Sequence, residues 1–185
     1  MTVIDSHQHV WDPRRAAYDW LGPAMAPVDR VMRFTDVRPA LRDAGVTAGV
    51  LVQAADNDAD TDLMPATAAA HPEVVAVVAR VPLDNSVRAR QRLTELRRDP
   101  HVAGVRALVH DNPDRDWILR PDVARGLDLL AEAGLTPSTT SPPRPRPWST
   151  YRGWRPATPA CAWSSTTSAS PRSAAAPATG PDGGG

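Results

Sequence analysis

Two kinds of segment alternate along the first 135 residues. Short runs that are apolar on both faces have the length of strands and occupy residues 2–5, 46–53, 74–81 and 102–109. Segments with the period of a helix follow each run and occupy residues 35–44, 61–70, 86–97 and 121–133. Thr35 or Asp36 is the expected N-cap of the first helix, and Gly45 and Gly134 stand where the first and fourth helices end. The pattern therefore predicts four successive strand–helix units.

Strands that are apolar on both faces and separated by helices predict a parallel sheet covered by helices. Two architectures fit this order, a flavodoxin-like open sheet and a (β/α)8 barrel. A nucleotide-binding open sheet usually carries a Gly-rich turn after its first strand, but here the strand leads into DSHQH at residues 5–9. Histidines at the carboxyl end of a first strand favour the barrel, whose chemistry lies on that rim.

The composition changes abruptly at residue 136. The last 50 residues contain no Leu, Ile, Val, Met or Phe, yet they hold ten of the 20 prolines. Such a segment cannot bury enough apolar surface to offset its ordering entropy, so we expect it to be disordered. We therefore divide the chain into residues 1–135, the first four units of a barrel, and a tail at 136–185. The tail is either a natural Pro/Ser/Thr-rich segment or the product of out-of-frame translation.

The genetic code favours the second explanation. All 21 basic residues are arginine, which suggests a GC-rich gene, and out-of-frame reading of such a gene yields Pro, Arg, Ala, Ser and Thr. New codons formed from each third base and the next two across residues 162–171 permit Val-Val-Leu-Asp-His-Leu-Gly-Lys-Pro. Aliphatic residues thus reappear where the chain has none, and we expect a frameshift after about residue 135.

Charge and cysteine content exclude several classes of partner. The whole chain has a formal net charge of zero, which gives no reason to expect nucleic acid or an anionic membrane. The longest apolar run, Val74–Ala79, is far shorter than the roughly 20 residues of a membrane span. The amino terminus lacks the pattern of a secretory signal, and the single Cys161 cannot form an internal disulfide. We therefore expect a cytoplasmic protein.

His7 and His9 are the first candidates for chemistry. Residues two apart on an extended segment project to the same face, so both imidazoles can reach one divalent metal. The alternative is a pair of partly buried histidines hydrogen-bonded to the backbone. Their position after the first strand, between Asp5 and the WDP sequence at 11–13, favours the metal pair.

An acidic run at residues 56–62 superficially resembles a calcium-binding loop. It has Thr61 where an EF-hand needs glycine and Thr67 where it needs glutamate, so we expect acids that precede a helix instead. Arg80 falls inside the third predicted strand, where a charge is unusual unless it faces the rim or a partner.

A series of motifs runs through the first 135 residues: IDSHQHVWDP at 4–13, YDWL at 18–21, VQA at 52–54, ADTD at 59–62, VPLD at 81–84, GVR at 104–106, DNPDRDWIL at 111–119 and LLAEAGL at 129–135. In these motifs the sequence resembles the amidohydrolase-related proteins, the amidohydrolase 2 group, and within them is most similar to sugar-acid lactonases of the L-fuconolactonase and L-rhamnonolactonase type. The resemblance spans residues 2–135. The out-of-frame Leu-Asp-His-Leu-Gly-Lys-Pro also resembles a later histidine motif of the family.

The resemblance implies a (β/α)8 barrel in which a water activated by a metal or a side chain hydrolyses a small-molecule lactone or related ester. His7 and His9 match the family's first-strand ligand pair for zinc or manganese, although some lactonases are thought to work without metal. Arg106 would bind a sugar-acid carboxylate or a developing oxyanion, or form a structural ion pair. Gln53 would contact a substrate hydroxyl or cap a neighbouring loop, and His110 is a further candidate for substrate contact.

The family's later ligands are absent in frame, so the resemblance implies weak metal affinity and little or no catalysis for this chain. Four units would leave the first and fourth strands as open edges, and we expect self-association there. Two other functions stay open. One is metal-dependent decarboxylation on the same scaffold. The other is a non-enzymatic fragment whose RPRP sequence at 144–147 binds a partner.

Overall fold

A computed structural model describes residues 2–109 and 112–139. The elements follow in the order β1 (Ile4–Gln8), α1 (Phe34–Asp43), β2 (Ala48–Val52), α2 (Asp58–Ala70), β3 (Val74–Ala79), α3 (Ser86–Leu96), β4 (Val102–Ala107), α4 (Pro121–Glu132) and β5 (Thr136–Thr139). Four strand–helix units are thus confirmed, and a fifth strand follows them. Within the described ranges, no helix is both long enough and apolar enough to cross a membrane.

The strands form one parallel sheet in the order β1-β2-β3-β4-β5. Each strand lies beside its neighbour in sequence, as in the first half of a (β/α)8 barrel. A flavodoxin-like sheet would reverse its strand order at a switch point, so that alternative is wrong. The prediction that β4 is an open edge is also wrong, because β5 pairs with it and the outer strands of the described sheet are β1 and β5.

The fifth strand differs from the predicted boundary of the ordered region at residue 136. Thr136 pairs with Gly104 and Thr139 with Ala107 in a parallel ladder. The composition signal missed this strand because ladder bonds come from the backbone, and a β-branched threonine suits a strand without adding apolar bulk. The remaining predicted tail, residues 140–185, lies outside the described residues.

Two helices begin at positions that differ from those predicted. The N-cap of α1 is Arg33, and Asp36, one of the two expected caps, instead accepts the Arg33 backbone N–H at 2.8 Å. Helix α2 begins at Asp58, three residues early, because the Asn57 side chain caps its first turn. This polar first turn carries no apolar period, so the sequence pattern could not reveal it.

The core lies between the concave sheet and its helices. Its largest fully buried side chains include Leu51, Met64, Val77, Val105 and Leu130. Helix α4 approaches the loop after β3 so closely that only a glycine fits. A Cβ atom added at Gly126 would lie 2.1 Å from the Leu83 carbonyl oxygen. This contact holds α4 against the loops at the carboxyl end of the sheet.

Candidate active site

Strand β1 carries the histidine pair further into the sheet than the sequence predicts. It runs over Ile4–Gln8 rather than ending at Asp5, so His7 lies within the strand and His9 one residue beyond it. Pairing with β2 continues to Gln8 after a register shift, since the backbone ladder does not depend on apolar side chains. The alternation of the strand then places both imidazoles on one face.

The two imidazoles meet through their Nε2 atoms, which are 3.1 Å apart. The Nδ1 atom of His9 lies 2.8 Å from the backbone carbonyl oxygen of Val52. A carbonyl only accepts, so this Nδ1 carries the proton and the Nε2 of a neutral His9 has a free lone pair. In the absence of a metal, His7 Nε2–H donates to that lone pair.

Burial lowers the pKa of both histidines. For His7 the neighbouring His9 and the Arg106 charge lower the pKa further, and Asp5 opposes them. For His9 the bond to Val52 opposes the effect of burial, while the Arg106 charge adds to it. Both rings are therefore neutral at pH 7, which is the form that binds a metal ion.

Arg106 projects from β4 toward the same rim. Its side chain is buried, and its Nη1 donates to the backbone carbonyl of Gln53 at 3.0 Å. Its charge acts on the pKa of both His7 and His9, which places a fixed positive charge beside the imidazole pair. This hydrogen bond ties the guanidinium to the residue that follows β2.

Gln53 follows β2 and is fully buried. Neither the Nε2 nor the Oε1 atom of its side chain has a hydrogen-bond partner among the described residues. A buried amide without partners costs free energy, so this group is suited to binding a ligand or a water molecule. The Gln53 side chain therefore caps no loop among the described residues, which was one of its two predicted roles.

Four of the five predicted site residues therefore lie at the carboxyl ends of β1, β2 and β4. Two hydrogen bonds to consecutive backbone carbonyls link three of these residues: His9 bonds to Val52, the last residue of β2, and Arg106 bonds to Gln53, which follows it. His110 lies outside the described residues.

Asp60 is a buried residue of this region that the sequence pattern did not single out. Its carboxylate accepts the backbone N–H groups of Ala54 at 2.9 Å and Ala55 at 3.2 Å, and the Tyr18 hydroxyl at 2.9 Å. Burial raises the pKa of Asp60, and these hydrogen bonds oppose that rise. In the sequence it belongs to the ADTD segment at 59–62, which carries part of the family resemblance, but nothing in that segment marks Asp60 rather than Asp62 as the buried acid.

The rest of the acidic run binds arginines. Arg80, which follows β3, donates to Asp56 at 2.8 Å and to Asp58 at 3.0 Å, so the unusual charge in the third segment faces acids at the rim. Asp62 forms an ion pair with Arg92. Across the described ranges, no group of three or more His, Cys, Asp or Glu side chains is arranged to hold a metal.

The imidazole pair fits a divalent metal as two of its ligands. The tautomer of His9 presents a lone pair, and the Nε2 of His7 lies close enough to share one ion with it. Asp5 does not complete the set, because its carboxylate oxygens accept from the His7 backbone N–H and the Gln8 side chain.

A long loop between β1 and α1 packs against this rim. The backbones of Trp11 and Met32 form a bridge that closes the loop on itself. The indole of Trp20 donates to the Ala54 carbonyl at 2.8 Å and stacks edge-on against Trp11. The loop is therefore fixed directly above the end of β2.

Fold and site together define a parallel β/α half-barrel with a histidine pair, an arginine and a buried amide at its carboxyl rim. A model of the amidohydrolase family matches residues 4–162, and the chain belongs to this family. The L-fucono-1,5-lactonase of Burkholderia ambifaria is 31% identical over 144 residues, covering 78% of this chain and 49% of that protein.

Solved structures agree with this assignment. A zinc-bound amidohydrolase from Burkholderia multivorans matches with a TM-score of 0.68 and 27% identity, covering 75% of this chain and 48% of that one. A 2,6-dihydroxybenzoate decarboxylase from Rhizobium matches with a TM-score of 0.55 at 16% identity, covering 83% of this chain and 54% of that one, and shows the shared fold alone. The chain spans about half the length of these relatives.

Proposed function

We propose that the chain is the first half of a hydrolase that opens a sugar-acid lactone or a related cyclic ester. The observation that carries this proposal is the meeting of the His7 and His9 Nε2 atoms at 3.1 Å beside the Arg106 charge. Likeness to the lactonase of Burkholderia ambifaria supports it. A small-molecule substrate and a cytoplasmic location belong to the same proposal.

Arg106 is the residue that stabilises the negative charge formed during the reaction. Lactone opening develops an oxyanion and releases a carboxylate, and a guanidinium stabilises both. The bond from its Nη1 to the Gln53 carbonyl fixes the group before substrate binds, so little reorganisation is needed during the reaction. The buried Gln53 amide supplies a donor and an acceptor for a ring hydroxyl.

His7 and His9 would hold one zinc or manganese ion. When bound, such an ion polarises a carbonyl and lowers the pKa of water. The chain would contribute to metal binding through the tautomer of His9, because the bond from Nδ1 to Val52 leaves a lone pair at Nε2. The same lone pair would serve as a proton acceptor in a metal-independent version of the reaction.

The metal version is tested on zinc binding by the 185-residue chain. His7→Ala and His9→Ala should each lower zinc affinity at least about tenfold, because each removes one of two ligands. His101→Ala is the matched control, since His101 pairs with Asp99 at the opposite, amino end of β4. Equal zinc affinity in all four proteins would overturn the metal version.

The half-length match motivates a second part of the proposal, a change of reading frame near residue 135. Sequencing the DNA across the codons for residues 135–141 tests it. A missing or extra base would support it, and the chain with the frame restored should then hydrolyse sugar lactones and lose that activity in His7→Ala. An unaltered frame would contradict it and favour a non-enzymatic fragment.

Decarboxylation of an aromatic acid is the alternative reaction on this scaffold. The positive charge of Arg106 beside two neutral imidazoles also suits an aromatic carboxylate. Parallel assays with sugar lactones and aromatic acids separate the two reactions. Turnover of aromatic acids alone would replace the lactonase proposal.

Self-association is the last part of the proposal. Strand β1 is an outer strand of the described sheet. Its first residue, Ile4, is 54% exposed, and Val3 just before it is 37% exposed. Unpaired backbone groups at such an edge favour pairing with another chain. Light scattering across a range of concentrations should show oligomers, and a strictly monomeric chain would contradict this expectation.

A further inference from the structure

One buried carboxylate binds two backbone N–H groups of the loop after β2. The Oδ2 atom of Asp60 accepts the N–H groups of Ala54 and Ala55, and its Oδ1 atom accepts the Tyr18 hydroxyl. Asp60 itself has no solvent exposure. Three donors from two separate segments therefore converge on a single side chain. This side chain forms no observed hydrogen bond with the imidazole pair, although its charge raises the pKa of His9.

The two residues just before Ala54 bind side chains of the candidate site through their backbone carbonyls. The carbonyl of Val52 accepts from His9 Nδ1, and the carbonyl of Gln53 accepts from Arg106 Nη1. Residues 52–55 thus form one short stretch of backbone whose carbonyls hold the site side chains and whose next two N–H groups are held by Asp60. The same stretch has two further anchors, because the Gln53 N–H donates to the Val78 carbonyl at 3.0 Å and the Trp20 indole donates to the Ala54 carbonyl at 2.8 Å. Asp60 is the anchor that holds the two N–H groups next to the Gln53 carbonyl.

We propose that Asp60 is a positioning residue that acts through this backbone to keep His9 in the Nδ1–H tautomer, with its Nε2 lone pair facing His7. A neutral imidazole has two tautomers, and the hydrogen bond made by one nitrogen decides which nitrogen is free to bind. Without a correctly placed Val52 carbonyl, the proton is shared between the two nitrogens of His9. The inference concerns the metal pair of the proposed function, but the tautomer itself can be measured without metal.

Asp60→Asn tests the proposal in the 185-residue chain. The variant keeps the shape of the side chain but places an amide donor among three donors. Thr61→Val is the matched control, because Thr61 is also fully buried and accepts a backbone N–H, that of Arg80 at 2.9 Å, at the end of β3. Both variants lose a buried hydrogen bond, but only the first releases residues 54 and 55.

The readout is the 15N spectrum of the imidazole nitrogens at pH 7.5, with the His9 signals assigned by their loss in His9→Gln. We expect wild type and Thr61→Val to show protonated Nδ1 alone, and Asp60→Asn to show a mixture of tautomers. Zinc affinity should fall about tenfold in Asp60→Asn only. Loss of the negative charge of Asp60 alone would weaken zinc binding without changing the tautomer of His9. The tautomer, and not the zinc affinity, therefore distinguishes the positioning role from a charge effect.

An unchanged tautomer in folded Asp60→Asn, or an equal change in Thr61→Val, would overturn the proposal. If Asp60→Asn does not fold, Tyr18→Phe is the milder variant, since it removes one of the three donors to the same carboxylate. It should give a minor second tautomer, and an unchanged spectrum would refute the positioning role. A wild-type chain that binds no zinc but keeps the tautomer would contradict the metal site and leave the role of Asp60 standing.

Discussion

Gly126→Ala tests how α4 supports the carboxyl rim of the sheet. A Cβ atom at this position would lie 2.1 Å from the Leu83 carbonyl oxygen and 2.8 Å from its carbonyl carbon and Cα atom. Ordinary van der Waals contact begins near 3.4 Å, so α4 or the loop after β3 must move by more than 1 Å. All three clashing atoms belong to the backbone of Leu83, so no flexible side chain can relieve the contact.

The magnitude follows from two opposing effects. Overpacking of this kind costs about 1–3 kcal/mol, and backbone clashes lie at the upper end. Alanine gains about 1 kcal/mol over glycine inside a helix. We therefore expect a net loss of about 2 kcal/mol in the free energy of unfolding. At about 3–4 °C per kcal/mol for a domain of this size, the melting temperature should fall by about 6–8 °C.

Urea denaturation followed by circular dichroism measures the effect. Gly22→Ala is the matched control, because nothing lies within 4 Å of its added Cβ atom and its backbone is extended. That variant should stay within about 0.5 kcal/mol of wild type. A Gly126→Ala chain as stable as Gly22→Ala would show that α4 does not pack on the Leu83 backbone as described.

The remaining predictions concern the rim and its loop. Gln53→Met removes a buried amide without partners among the described residues, so the free energy of unfolding measured in urea should rise by about 1 kcal/mol. Lactone hydrolysis by the frame-restored chain should fall in the same variant. A lower free energy of unfolding would refute this prediction. The hydrogen bond from Arg14 lowers the pKa of Asp12 to about 2. A lowered carboxyl pKa stabilises the fold above the unfolded value near 4, and this contribution is lost as pH falls toward 2. Calorimetry should therefore show wild type melting above Asp12→Asn at pH 6 and the difference vanishing near pH 2; a constant difference would contradict the assignment.

The alternation of apolar runs and helical periods was sufficient to predict four strand–helix units and a parallel sheet. Burial on both faces of a strand is a local composition property, and the period of a helix is visible within a dozen residues. The spacing of His7 and His9 likewise fixes their common face, because alternation is a property of any strand. These features follow from neighbours in sequence.

The tertiary structure decided which of these groups act together. Arg106 reaches the carbonyl of Gln53 across 53 residues, and His9 reaches that of Val52 across 43. Asp60 differs from the acids beside it because its carboxylate accepts the N–H groups of Ala54 and Ala55 after β2. Strand β5 forms because its backbone pairs with that of β4. Such bonds depend on strand register and helix placement, which no short stretch of sequence encodes. The sequence therefore determined the helices, the strands and the candidate site residues. Tertiary packing determined the hydrogen bonds that orient His9 and Arg106.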